Sequence, residues 1–209
     1  MKSTTPVTVE DLFRVPEHGK AEIVNGELVL MSPTGALPSR ASGAIHASLR
    51  VHERTRGGGL AYPDNAAFIV DLAHRRSFSP DAAFHQGTQP TMKFLEGAPV
   101  FAVEVRSEGD YGPKAEEAMA RKRADYFAAG TEVVWDVDLL SEDVIRVHRM
   151  GQAEPMIYRR GDTAEAEPAV PGWRFPVDSL LDWSLLGFPP DRWPAPPAEC
   201  DATCGATAS

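Results

Sequence analysis

The period of apolar and polar residues changes several times along the chain, and each change marks an element. Thr8-Val9-Glu10-Asp11-Leu12-Phe13 predicts a short helix with Thr8 as its N-cap. Residues 20–31 predict a β-hairpin whose Asn25-Gly26 pair suits a type I′ turn. Over 39–53, Ile45, Leu49 and Val51 fall loosely on one helical face. Gly57-Gly58-Gly59 ends that helix before a strand-like run over 66–71. Residues 78–84 and 99–107 predict strands that are central neighbours, the second with the continuous run Val100-Phe101-Ala102-Val103 of a buried strand. A helix over 114–129, stopped by Gly130, leads to strands at 132–137, 144–148 and 156–158 and a short helix at 178–183. From Gly187-Phe188-Pro189-Pro190 to Ser209 the chain has little to bury. The expected organisation is one domain over 1–187 and a Pro-rich tail, disordered or draped on the surface, over 188–209.

Composition agrees with one compact domain: 209 residues at 43% hydrophobic content are enough to bury a core. No stretch approaches the ~18 apolar residues of a membrane span, and MKSTTPVTVEDLF lacks a signal-peptide layout, so a cytoplasmic location is expected. Cys200 and Cys204, both in the tail, suggest neither a disulfide framework nor a zinc site. A net charge of -9 argues against indiscriminate coating of nucleic acid. Its distribution softens that objection: the balance is +1 over 1–80 (9 basic, 8 acidic), -4 over 81–160 and -6 over 161–209. A local basic surface is therefore compatible with the chain. The triple glycine is no phosphate loop, because no Gly-Lys-Ser/Thr follows it. The histidines His18, His46, His52, His74, His85 and His148 show no zinc spacing.

Candidate chemistry begins with Glu104. Period-two alternation puts Phe101, Val103 and Val105 on one face and Val100, Ala102, Glu104 and Arg106 on the other. A carboxylate beside a buried run is costly unless paired or bound to a cation, so Glu104 is either the partner of Arg106 at a sheet edge or a metal ligand. On the following helix the apolar stripe is Ala115, Ala118, Met119, Tyr126 and Ala129, with Lys122 near its middle, while Arg121 and Arg123 point well away. Lysine is rarely buried unpaired, which leaves an inward Lys122 or one that snorkels to solvent. Asp81, in Ser79-Pro80-Asp81, supplies a second carboxylate at a strand. Pro63-Asp64 reads as an ordinary turn.

The ordered set Ser79-Pro80-Asp81, Glu104-Val105-Arg106-Ser107, Lys122 with Tyr126 one turn on, and Gly130-Thr131-Glu132-Val133-Val134-Trp135-Asp136-Val137 resembles the Uma-type restriction endonucleases, a bacterial branch of the PD-(D/E)XK nucleases. The opening Glu22-Ile23-Val24-Asn25-Gly26-Glu27-Leu28-Val29-Leu30-Met31-Ser32-Pro33 resembles that family's start, and the likeness runs from about Thr8 to Trp183. The resemblance implies an α/β (α+β) fold with a mixed central β-sheet flanked by helices, a Mg2+ cofactor with Mn2+ as an alternative, and hydrolysis of nucleic-acid phosphodiesters, DNA first among them. It makes Asp81 and Glu104 metal ligands, Lys122 the active-site lysine and Glu22 an additional acidic member. Hairpin alternation, however, groups Glu22 with Val24 and not with Ala21 and Ile23, leaving it between the cluster and solvent. There are two departures. Where many relatives have a histidine, this chain has Pro38-Ser39-Arg40, and Arg106 stands where the wider fold often has its lysine. Cutting both strands of a duplex calls for two sites, so a homodimer is a natural expectation. The competing reading is a catalytically degenerate module of the same fold for nucleic-acid binding or assembly. A nucleotide-binding α/β protein would need a glycine-rich fingerprint that is absent.

Overall fold

The computed structural model describes residues 7–14, 19–87 and 89–181. Helix α1 (Val9–Leu12) opens with Thr8, whose backbone N–H donates to Asp11 Oδ2 at 2.8 Å. The hairpin β1 (Lys20–Val24) and β2 (Glu27–Met31) turns at Asn25 and Gly26, with φ of 52° and 74°, the left-handed pair that a type I′ turn requires. Helix α2 (Ala36–Arg56) buries Ala41, Ile45, Leu49 and His52. Val51 is 53% exposed: two residues past Leu49 is about 200° round a helix, so the stripe continues through His52 instead.

The centre is a six-stranded mixed sheet. Its strands are β3 (Leu60–Pro63), β6 (Ala82–His85), β8 (Phe101–Val105), β9 (Val133–Val137), β10 (Ile145–Arg149) and β11 (Met156–Tyr158), in the order β11-β10-β9-β8-β6-β3. All neighbours are antiparallel except β8 and β9, which are parallel and joined through α3 (Pro113–Ala128). One face, with Phe101, Val103, Val133 and Trp135, packs under α2; on the other, Ala83, Ala102 and Val134 pack with Tyr126 of α3. The expected architecture is the observed one.

Several details differ from the sequence expectation. The strand predicted over 78–84 is two: β5 (Ser77–Phe78) belongs to a small sheet with β4 (Phe68–Ile69) and β7 (Leu95–Glu96), and β6 belongs to the central one. Pro80, which has no N–H to donate, stands at the break. The run over 66–71 shortens to β4, and β3 and the hairpin β12 (Thr163–Glu165) with β13 (Arg174–Pro176) were not foreseen. A 3-10 turn, Val177–Leu180, replaces the last predicted helix, and Ala118 of α3 is exposed. Trp183, His18, Cys200, Cys204 and the segment 188–209 lie outside the described residues. Among the described residues no helix is long and apolar enough to cross a membrane.

Candidate active site

The break at Pro80 sets up the first carboxylate. Asp81 directly precedes β6, its N–H donates to the Val103 carbonyl at 2.9 Å, and its Oδ2 accepts the Val105 N–H at 2.8 Å. Ala82 pairs with Val103, so Asp81 stands opposite the Glu104 level of the neighbouring strand. Glu104 faces α3, as alternation along β8 requires. Lys122 and Tyr126 are one helical turn apart and therefore reach the same carboxylate: Lys122 Nζ lies 2.8 Å from Oε2, and the Tyr126 hydroxyl donates to Oε1 at 2.6 Å. Tyr126 is itself held by stacking on Phe78, with ring centroids 4.0 Å apart.

Glu22 turns inward. Its Oε1 accepts the Ser79 N–H at 2.9 Å and lies 3.0 Å from Lys122 Nζ, and its Oε2 lies 2.5 Å from Arg75 Nη1. The structure thus brings Glu22, Glu104 and Lys122 into one contact network, with Asp81 held beside Glu104 through the Val105 amide. Side-chain exposure grades it: Glu104 is 25% and Lys122 20% exposed, Asp81 12%, Glu22 only 4%. Glu104 and Lys122 form the accessible front, and Glu22 the back wall.

Five participants were not foreseen. Lys20 Nζ bridges Asp81 Oδ1 at 2.8 Å and Asp64 Oδ1 at 2.7 Å, so the supposedly ordinary Pro63-Asp64 turn contributes a carboxylate. Arg75 joins Glu22 to Asp125 Oδ2 at 2.8 Å, and His74 Nε2 lies 2.7 Å from Asp125 Oδ1. The Lys20 signal was available, since Lys20 and Glu22 are two apart on one strand and share a face. Arg75 and Asp125 are 50 residues apart, and no local pattern joins them. Arg106 does not pair with Glu104. Its Nε and Nη2 grip Asp136 at 2.8 and 2.7 Å, and Glu116 completes its shell.

Five carboxylates (Glu22, Asp64, Asp81, Glu104, Asp125) here face three permanent cations (Lys20, Arg75, Lys122), an excess of two negative charges if all are ionised. Glu104 registers that excess. Burial raises its pKa above the usual carboxylate value, and Asp81 and Glu22 push the same way against Lys122 and Lys20. Glu22 moves down: burial opposes the shift, but Lys122, Arg75 and the Ser79 N–H outweigh it. Burial disfavours the Lys122 ammonium, yet Glu104 and Glu22 hold its pKa above the ordinary lysine value. Burial and then Glu104 raise Tyr126, keeping it a phenol that donates.

Among the described residues no group of three or more His, Cys, Asp or Glu side chains is arranged as a ready metal cage. Lysine ammoniums lie on the carboxylates instead. The donor chemistry nevertheless suits a hard divalent cation: Asp81 and Glu104 offer carboxylate oxygens in a setting with surplus negative charge.

The model of the Uma2 family, described as "Putative restriction endonuclease", matches residues 9–178. A solved structure from Anabaena variabilis ATCC 29413, described as "a putative nuclease belonging to DUF820", shares 14% identity at a TM-score of 0.66, covering 85% of this chain and 99% of that one. At that identity the likeness concerns the fold. No curated protein matches. That match spans most of the chain, and the chain belongs to the Uma2 family of restriction-endonuclease-like nucleases.

Proposed function

We propose that this protein is a divalent-cation-dependent endonuclease that hydrolyses nucleic-acid phosphodiester bonds, with DNA as substrate and Mg2+, or Mn2+ in its place, as cofactor. One observation carries the reading. Each of the two ligand carboxylates shares its lysine with a second carboxylate: Lys20 lies between Asp81 and Asp64, and Lys122 between Glu104 and Glu22. Either lysine can therefore release its ligand carboxylate to a cation without being left as an unpaired buried charge.

Asp81 and Glu104 would hold the ion through hard oxygens. A divalent ion there would neutralise charge on the phosphate and acidify a water. The chain's own groups do the remaining work. Glu104 is oriented by the Tyr126 hydroxyl, and Asp81 by the Val105 amide, so neither carboxylate must be reorganised for reaction. Lys122 is held as an ammonium and acts in this arrangement as a donor, orienting the attacking water or a phosphate oxygen. Glu22 fixes that ammonium from behind. The residues of this site fall within the single domain read over 1–187, acting in the cytoplasm, and a homodimer would supply the second site for a double-strand cut.

The test is cleavage of supercoiled, linear and single-stranded DNA and of RNA, with Mg2+, Mn2+ or EDTA, by wild type and Asp81→Asn. The expected result is ion-dependent cutting of DNA that falls at least about a hundredfold in the variant. Wild-type protein that binds nucleic acid but cuts with neither ion would overturn the reading in favour of a binding module.

A further inference from the structure

Arg123 follows Lys122 on α3, and the helix turns it about 100° from its neighbour. Off the apolar stripe, as the sequence suggested, it points toward the half of the same sheet face formed by β9 and β10. There it lines a cavity of about 430 Å³ with Arg106, Asp136, Arg146 and His148. The floor continues from the candidate active site, since Glu104 pairs in register with Asp136 and Asp136 with Arg146. Two strand spacings of about 4.8 Å put the Arg146 position roughly 10 Å from that of Glu104.

The acids of this cavity are already engaged. Asp136 and Glu116 bind Arg106, while Asp138 accepts the Tyr111 hydroxyl at 3.0 Å and the Leu140 N–H at 3.0 Å. Arg123, in contrast, forms no ion pair or hydrogen bond with another described residue. Burial holds its pKa below the usual arginine value, with Arg106 adding to the shift against Asp136 and Glu116. His148 Nε2 is buried without a hydrogen-bond partner. Burial, and then Arg123, push this imidazole down to about 4, so at neutral pH it is uncharged and able to donate from Nε2. A partly buried guanidinium and a buried ring nitrogen, each without a hydrogen-bond partner in one cavity, are both satisfied by an oxyanion.

We propose that this cavity is a phosphate subsite, in which Arg123 and His148 donate to the non-bridging oxygens of a phosphodiester flanking the one held at Asp81 and Glu104. The inference rests on the nuclease reading and deepens it: the substrate is a strand long enough to span both places. Arg146 lies beside the subsite, and the Arg106–Asp136 pair separates the two positions.

The test is anisotropy with labelled DNA in EDTA over a salt series, using wild type, Arg123→Met and His148→Phe, with cleavage and Tm measured alongside. Both variants should bind about tenfold more weakly at unchanged or higher Tm, because each removes a partnerless polar group. For Arg123→Met the salt slope should become shallower by about 0.9. Replacing single phosphates by neutral methylphosphonates should reveal one position that costs wild type about tenfold and costs Arg123→Met nothing further. Wild type that cuts DNA while both variants keep its affinity and slope would overturn the subsite and leave the nuclease standing. A fall in Tm without an interference position would make the two residues structural. Inorganic phosphate that raises Tm only in wild type, again without an interference position, would make the cavity a free-anion site. Wild type that neither binds nor cuts nucleic acid would overturn both proposals.

Discussion

Glu104 and Arg106 project from the same side of β8 and its continuation, two residues apart, yet the charge around them follows opposite rules. Around Glu104 carboxylates outnumber cations, and each lysine is shared between two acids. Around Arg106, a side chain only 5% exposed meets Asp136 in a two-pronged grip, and Glu116 adds two further contacts. The pKa directions follow from that contrast. Glu104 is raised by burial first, with the neighbouring Asp81 and Glu22 carboxylates adding to it against Lys122. Arg106 is raised too, but because its acidic partners outweigh burial, which marks a satisfied cation. A saturated pair holds structure together; an unbalanced cluster can accept a further cation.

The strongest test of this contrast is to remove one cation from each side. Lys122→Ala should lower cleavage by about a hundredfold or more while leaving ion binding largely intact, since Asp81 and Glu104 remain. Metal titration and single-turnover kinetics would measure the two effects separately. Arg106→Ala should instead act on stability, by about 3–5 kcal/mol, because it leaves Asp136 buried without its partner. Denaturant unfolding measures that loss. An indispensable Arg106 with a dispensable Lys122, compared in folded protein, would move the catalytic cation to the strand.

Tyr126→Phe sharpens the comparison within the Glu104 cluster. It keeps the stacking on Phe78 but removes a hydrogen bond to a charged carboxylate, worth about 1.5–3 kcal/mol. Cleavage should fall less than for Lys122→Ala, and without the donor Glu104 should titrate at higher pH, which a pH–rate profile would register.

The smallest effect lies in the cavity of Arg123 and His148. The His148 pKa is depressed from 6.5 to about 4, so protons favour the unfolded chain. Its contribution to stability is present above about pH 6.5 and declines as pH falls toward 4. Comparing Tm at pH 7 and pH 5 should show a smaller drop for His148→Phe than for wild type. Part of the drop will persist, because burial also depresses His46, His52 and His85.

The sequence by itself determined the elements whose cause is local. The Asn25-Gly26 turn, α2 and α3, and the buried strands around Phe101 and Trp135 follow from φ preferences and from apolar period, which neighbouring residues set among themselves. It also placed Glu104 on the α3 face and Lys122 with Tyr126 on one helical stripe, because those positions depend only on periods of two and 3.6. Only the tertiary structure decided which charges meet. Asp64 joins Lys20, Arg75 reaches from Glu22 to Asp125, and Arg106 turns from Glu104 to Asp136, across sequence gaps that no periodicity spans. It decided the direction of Glu22 as well. Alternation correctly set Glu22 opposite Ala21 and Ile23, but whether that side of the hairpin meets solvent or the sheet depends on where the hairpin docks. The energy of a charged group is set by everything packed around it, and that environment exists only once the chain has folded.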